Sequence, residues 1–373
     1  MSDSNTSYFP PELVLGILLK LPPKSLLRFT LVSKSWHSLI TSPSFISTHL
    51  SQTPQTNNNN TLLVRHYISA NNHHYSLFQD SKKTPFTLNF TSQLNYPFNC
   101  QLGYFRILGF INGVLCLCND LFGELRNLVL WNPCIRKFVS LRLPEVKLEG
   151  PHMFVLGFDY DVAENGEYKL VRIVCVKNED GVYNVPPEVE VYSSGCGHCV
   201  VVSVCGQAFL NGVVHWIAYD VVDNGGGVRS LVMSFRIGDK VFGEIMLPDE
   251  LGSEDAMNLG VMVFEGYGGG GSYEVWVMKS YGVVESWSRL YRINLVVYMK
   301  EIVGFRSNGE VLFSTRRDEL VSYDPSSGHA KALGICGISP SFYVHNYVKS
   351  LVLLLWNSVV SDGLLEGMGS LSI

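Results

Sequence analysis

The residue types that do chemistry occur in this chain at spacings that mostly argue against it. Cys196-Gly197-His198-Cys199, with Cys205 nearby, has the two-residue gap of half a zinc site. A structural zinc needs four ligands, and no second half-site stands at a suitable spacing, so the group reads as a hairpin turn and no metal is expected. Gly268 to Gly271 run into Ser272 without the Gly-Lys-Ser/Thr of a phosphate cradle, which leaves a flexible connector. His215 stands beside Trp216 with no acid or nucleophile placed near it by any motif, so its expected role is structural. Cys116 and Cys118 alternate along an apolar run and so share one face of a strand, as core residues do. Ser322-Tyr323-Asp324-Pro325-Ser326-Ser327-Gly328 reads as a strand end whose turn is held by the Asp324 carboxylate. There is no Ser-His-Asp signature, and no cofactor is expected.

Composition narrows the partners. The 373 residues carry a net charge of −5, which offers no basic field to nucleic acid or to an anionic membrane and leaves a protein as the default partner. The first residues lack a charged segment followed by an apolar core and a cleavage site, and the apolar run Leu351 to Trp356 is too short to span a bilayer. Nine cysteines at irregular positions suggest reduced thiols, hence a cytoplasmic or nuclear location.

Two textures divide the chain. From Pro11 to about Lys20, Pro11 suits a first helical turn, where its missing amide has no intrahelical partner anyway. Glu12, Gly16 and Lys20 form one narrow stripe four residues apart, and Leu13, Val14, Leu15, Ile17, Leu18 and Leu19 cover the rest. Leu21-Pro22-Pro23 stops this helix, and Pro23 can start a second with Leu26, Leu27, Thr30 and Leu31. Ser33 is the expected N-cap of a third, with Trp36, Leu39 and Ile40 on one face. Three short helices bury too little for an independent core. Periodicity alone leaves two readings: a cap packed on the following domain, or a surface completed by a partner.

The order of residues adds to this. Pro11-Glu12-Leu13, Ile17-Leu18, Leu21-Pro22, Ser25-Leu26-Leu27-Arg28-Phe29, Val32-Ser33-Lys34-Ser35-Trp36 and Ser42-Pro43-Ser44-Phe45 together resemble the F-box, the motif by which substrate receptors dock on the Skp-type adaptor of cullin-RING ubiquitin ligases. Gly16 departs from the acidic residue common there. The resemblance implies adaptor docking through Pro11, Leu13, Ile17, Leu21, Pro22, Leu26, Leu27, Val32 and Trp36.

The remainder follows an all-β pattern. After Ser51 to Thr61, polar and uncharged, come short runs rich in Val, Leu, Phe and Tyr broken by Gly, Asn and Asp. Asn112-Gly113, Asn211-Gly212 and Asn308-Gly309 lie between apolar runs and predict type I′ hairpin turns, which need positive φ at both central residues. A unit of strand, polar turn and strand carries an aromatic marker at Phe78, Trp131, Tyr192, Phe235, Trp276 and Tyr323, at intervals of 41 to 61 residues. Units of about 50 residues match a four-stranded propeller blade, so about six blades are expected. Phe342 to Trp356 is expected to supply a strand closing the ring against the first. A pair of β-sandwiches is the structural rival.

Leu130-Trp131-Asn132-Pro133 with Arg136, Gly157-Phe158-Asp159-Tyr160-Asp161, Glu190-Val191-Tyr192-Ser193, Phe209 to Trp216, Tyr273 to Met278, Glu285-Ser286-Trp287 and Gly304-Phe305-Arg306 resemble the type 1 F-box-associated domain of a plant family, akin to kelch-like propellers. The expected fold is therefore mainly β: a three-helix F-box at 1–48, a polar linker at 49–61, a kelch-like β-propeller at 62–359 and a tail at 360–373. The two resemblances imply a non-catalytic substrate receptor of a Skp–cullin–F-box ubiquitin ligase, joined through the adaptor to cullin and RING subunits and holding an unknown protein target. A propeller enzyme with a helical cap, such as an oxidase or glycosidase, and an adaptor-binding protein acting outside a ligase are the alternatives.

Within a blade, the turns between second and third strands open on one face, and here they are irregular: Asn119 to Arg126, Asn178 to Glu188, Tyr219 to Arg229, Gly266 to Ser272 and Ser314 to Glu319. Variable loops on a rigid scaffold commonly carry recognition. Aromatics and arginine dominate interfaces, so Phe122, Arg126, Tyr183, Tyr219, Arg229, Tyr267, Arg316 and Arg317 are the expected target-binding residues.

Overall fold

The computed structural model describes residues 10–52, 60–69, 72–95, 106–119, 127–142, 152–161, 167–176, 188–193, 207–210, 212–222, 227–239, 241–253, 266–267, 272–294, 299–338 and 341–354. The N-terminal part holds four helices, α1 (Pro11–Leu18), α2 (Pro23–Phe29), α3 (Lys34–Ile40) and α4 (Pro43–Gln52), one more than expected. Prolines open α1, α2 and α4. Ser33 caps α3 by accepting from the Trp36 amide at 3.2 Å, and Ser42 accepts from the Phe45 amide at 3.2 Å at the start of α4. The additional helix comes from this second serine cap with Pro43 in the first turn. It runs past the expected boundary at 48, and the first strand starts at Asn60, inside the stretch expected as linker.

Among the described residues, six antiparallel sheets follow. Blade I pairs Tyr343–Asn346, Asn60–Ser69, Asn72–Asp80 and Leu88–Leu94, so its first strand comes from the far end of the chain, as the closing-strand expectation required. Blade II pairs Arg106–Ile111, Val114–Asn119, Asn127–Asn132 and Lys137–Arg142, and blade IV pairs Gln207–Leu210, Val213–Val222, Gly227–Arg236 and Val241–Met246. Blade VI pairs Met299–Phe305, Val311–Thr315, Glu319–Asp324 and His329–Cys336, with Gly266–Tyr267 added beside its first strand. These four are complete. Among the described residues, sheet III has three strands (His152–Asp161, Glu167–Val176, Glu188–Ser193) and sheet V has two (Ser272–Met278, Trp287–Asn294). Among the described residues the arrangement is propeller-like with four full blades, modestly different from the expected count of about six. The six aromatic markers do fall on six different sheets.

Alternation along the strands explains the ring. In blade II, Val114, Cys116, Cys118, Leu128 and Leu130 face sheets III and IV, whereas Leu115, Leu117, Val129 and Trp131 face blade I. In blade VI, Leu312 and Leu320 join Leu62, Val64 and Phe78 of blade I, while Val311, Phe313, Val321 and Tyr323 join Ile293 of sheet V. Val232 and Ile245 of blade IV share a core with Met278 and Trp287 of sheet V. Strands between two neighbours are buried on both faces and read as near-continuous apolar runs. Burying each such side chain contributes about 1.5–3 kcal/mol.

The three Asn-Gly turns differ. Asn112 and Gly113 have φ of 53° and 84° and close a two-residue hairpin between Ile111 and Val114, as a type I′ turn requires. Gly212 has φ of 79° between the paired Leu210 and Val213. Asn308-Gly309 departs from the expectation: it lies in a wider loop between the paired Phe305 and Val311, with only Gly309 at positive φ. There the Asn308 side chain is occupied by Glu310, accepting from its amide at 3.1 Å and donating to its carboxylate at 2.8 Å.

Blades I and VI are also locked by charge. Arg306 and Asp80 have fully buried side chains. The Arg306 guanidinium donates to Asp80 Oδ1 at 2.9 Å, to Glu310 Oε2 at 2.5 Å, and to the carbonyls of Thr84 and Thr87 at 3.2 and 2.9 Å. Glu310 also accepts from Ser322 and the Phe86 amide, and Asp80 from Ser307. Each charge is thus paired and hydrogen-bonded, the condition under which burial is tolerated.

Candidate functional site

The four helices have one face filled and one face open. Leu18, Leu26, Ile40 and Phe45 form the bundle core, and Leu351, Ile135 and Leu354 enter it from the β-domain. His49 is buried and hydrogen-bonds the Leu21 carbonyl at 2.9 Å, tying α4 to the α1–α2 connection. On the opposite side Leu13 is 56% exposed and Ile17 58%, at i and i+4 on α1, and Leu31 and Val32 are 75% and 64% exposed beyond α2. Large apolar side chains exposed in this way on a small helical unit are a candidate interaction surface.

Of the adaptor-docking residues expected from the sequence, Pro11, Leu13, Ile17, Pro22 and Val32 are exposed, while Leu21, Leu27 and Trp36 are half-buried, Trp36 edge-on against Phe29 at 5.4 Å. Leu26 has to be corrected. It is completely buried, because the α2 face that carries it meets Leu18 and Ile40, so it belongs to the bundle core and not to the exposed face. Leu31, absent from that set, is more exposed than Leu13, Ile17 or Val32. Its neighbour Val32 was the available signal, since α2 ends at Phe29 and both residues lie beyond it.

The helices sit at one end of the propeller. Asn132, at the third-to-fourth turn of blade II, donates to the Val352 carbonyl at 2.8 Å and to the Ser350 carbonyl at 3.2 Å, and Lys137 Nζ donates to the Leu354 carbonyl at 2.8 Å. At the first-to-second turn of the same blade, a Cβ on Gly113 would lie 2.6 Å from Ser350 Oγ. First-to-second and third-to-fourth turns share an end of an antiparallel sheet, so the second-to-third turns open at the other end, away from the helices.

At that far end, two expected loops are mostly strand. Tyr219 to Arg229 is largely ladder, paired as far as Val222 with Gly227, and Ser314 to Glu319 is a tight turn between the paired Ser314 and Leu320. Long strand pairing consumed the residues that composition suggested were loop. Arg316 and Arg317 are exposed at that tight turn. Arg229 lies in a strand and meets Asp249 at 3.4 Å, beside a shallow depression formed with Gly252 and Ser253. Tyr219 and Tyr267 lie on strands, and Phe122, Arg126 and Tyr183 lie outside the described residues, as do Cys196, Cys199 and Cys205.

Other candidate chemistry is occupied by structure. Asp324 accepts from Ser326 and Ser327 hydroxyls at 2.6 and 2.7 Å, which hold its carboxyl down to about 2 and make the expected turn. His215 is buried and bonded to the Tyr281 hydroxyl at 2.7 Å. Cys116 and Cys118 are buried, and burial pushes the Cys134 thiol up, away from nucleophilic reactivity.

Comparison with known proteins follows the same division. The F-box domain matches residues 7–48, and the F-box associated beta propeller domain matches residues 65–353. The chain belongs to the F-box-associated β-propeller family. Similar Arabidopsis thaliana proteins include F-box protein At3g07870, 26% identical with 90% of this chain and 89% of that protein covered, and F-box protein CPR1, 26% identical with 92% and 88% covered. F-box/kelch-repeat protein At3g23880 is 28% identical, with 86% and 88% covered. The chain is thus a plant F-box protein. An F-box joined to this propeller implies a substrate-adaptor role without catalysis and binding to a Skp-type adaptor.

Proposed function

We propose that this F-box protein is the substrate receptor of a Skp–cullin–F-box ubiquitin ligase, bringing one protein target to the transfer machinery. The α1 and post-α2 surface docks on the adaptor, and cullin and RING subunits join through it. The observation that carries the reading is the pairing of exposed Leu13, Ile17, Leu31 and Val32 with a bundle whose other face is already filled by Leu351, Leu354 and Ile135. The helices do cap the propeller, and their outward apolar surface is surplus to that packing. The propeller contributes proximity, raising the effective concentration of target lysines near the charged ubiquitin. The far end, with Arg316, Arg317 and Arg229, holds the target. Four cysteines outside any disulfide among the described residues favour a reducing compartment, cytoplasm or nucleus.

Leu13→Asp with Ile17→Asp tests the docking claim in a pull-down with a purified Skp-type adaptor. Each buried Leu or Ile contributes about 1.5–3 kcal/mol, and each 1.4 kcal/mol is tenfold in affinity, so binding should fall by about a hundredfold or more. Undiminished binding refutes docking through this face. Proteomic comparison of cells carrying the full chain with cells carrying one lacking residues 1–48 should show the target stabilised by the shortened chain.

A further inference from the structure

We propose that residues Tyr347–Leu354 couple closure of the propeller to the docking-competent state of the F-box, so that a chain with an open ring does not present the adaptor surface. The inference rests on the adaptor-docking reading above. Its geometry is continuous. Tyr343–Asn346 closes blade I by pairing with Leu62–Arg65, and the next residue, Tyr347, donates its amide to the Thr61 carbonyl at 2.7 Å and stacks on Phe110 of blade II at 5.9 Å.

From there the chain passes between two cores. Ser350 is fully buried and held by Asn132. Leu351 completes the core of Leu18, Leu26, Ile40 and Phe45, Val352 and Leu353 enter the core shared by blades II and IV and sheet III, and Leu354 returns to the helical side. Ile46 and Leu50 of α4 pack on that same propeller core. Leu353 has φ of 72°, a left-handed backbone that a leucine keeps only where its surroundings impose it. The same strap therefore finishes both cores, and its entry point is fixed by the strand that closes the ring. A helical unit this small buries too little to hold its shape unaided, so its order depends on a segment that the closed ring delivers.

The test uses the full chain with two variants and a control. Because Tyr347 hydrogen-bonds Thr61, the two-residue alternation of an antiparallel ladder turns the His345 amide toward Leu63, and His345→Pro removes it without touching a helix. Leu351→Ala instead hollows the helical core directly. The control, Phe313→Ala, weakens the core between sheet V and blade VI, which contains no strap residue. Hydrogen exchange of the α1–α4 amides and affinity for a purified Skp-type adaptor are read on each. Both test variants should speed helix exchange and weaken the adaptor at least tenfold, and Phe313→Ala should leave the helices as in the parent chain. Parent-like helix exchange in both test variants, or an equal effect of Phe313→Ala, overturns the coupling. A parent chain that binds no adaptor overturns the docking reading instead, while helix exchange still decides the coupling.

Discussion

Replacing Arg306 with alanine removes the one cation among the described residues that sits between Asp80 and Glu310, at the seam where the propeller closes on itself. The guanidinium is completely buried and its donors reach both carboxylates and the carbonyls of Thr84 and Thr87. Its loss leaves two buried carboxylates facing each other, and breaking a buried ion pair from one side costs about 3–5 kcal/mol. The lower end applies here, because Asp80 keeps Ser307 and Glu310 keeps Ser322, Asn308 and the Phe86 amide. A loss of about 3 kcal/mol is a large share of the 5–15 kcal/mol typical of a folded domain. Urea unfolding followed by tryptophan fluorescence measures it as a lower midpoint. Arg306→Lys keeps the charge but not the planar fork, so its midpoint should fall between the two. An Arg306→Ala midpoint equal to that of the parent chain would refute the claim that this network holds the seam.

Two further predictions concern protons. The Ser326 hydroxyl, then the Ser327 hydroxyl and the Ser326 amide, hold Asp324 at about 2, below the roughly 3.9 of a free Asp. Its contribution to the turn is therefore complete above about 4 and lost as pH falls to about 2. A carboxyl NMR titration should give that low midpoint and Ser326→Ala should raise it; a parent midpoint near 3.9 contradicts the turn. Burial, with His74 and Arg65 adding to it and the Cys336 carbonyl opposing, lowers His66. The unfolded chain then binds more protons just below pH 6.5, so unfolding free energy should fall as pH drops from about 6.5 and be flat above it. His66→Phe, which keeps stacking on His74 and Phe342, should reduce that slope; an unchanged slope sinks the assignment.

Much of this architecture is local and therefore legible. Proline at a helix start, serine at an N-cap, alternation along Val114 to Cys118 and the Asn112-Gly113 turn each depend on neighbours within a few residues, so the sequence alone specifies helices, strands and the order of sheets. Asn308-Gly309 shows where a local rule yields: Glu310, recruited by Arg306, takes the asparagine side chain and widens the turn. The loop at 219–229 yields for another reason, since strand length depends on whether a neighbour continues the ladder.

What the sequence by itself determined is that three short apolar helices precede a ring of paired strands and that their combined apolar surface exceeds one core; the fourth helix, Pro43–Gln52, came from the structure. Only the tertiary structure decided how that surface is shared. Leu26 and Leu31 look alike in a helical pattern, yet Leu26 is sealed and Leu31 is bare. Leu351, Leu354 and Ile135 occupy one side of the bundle. Periodicity reports that a face is apolar, but which partner covers it depends on contacts between residues more than three hundred positions apart, and those exist only after the ring has closed.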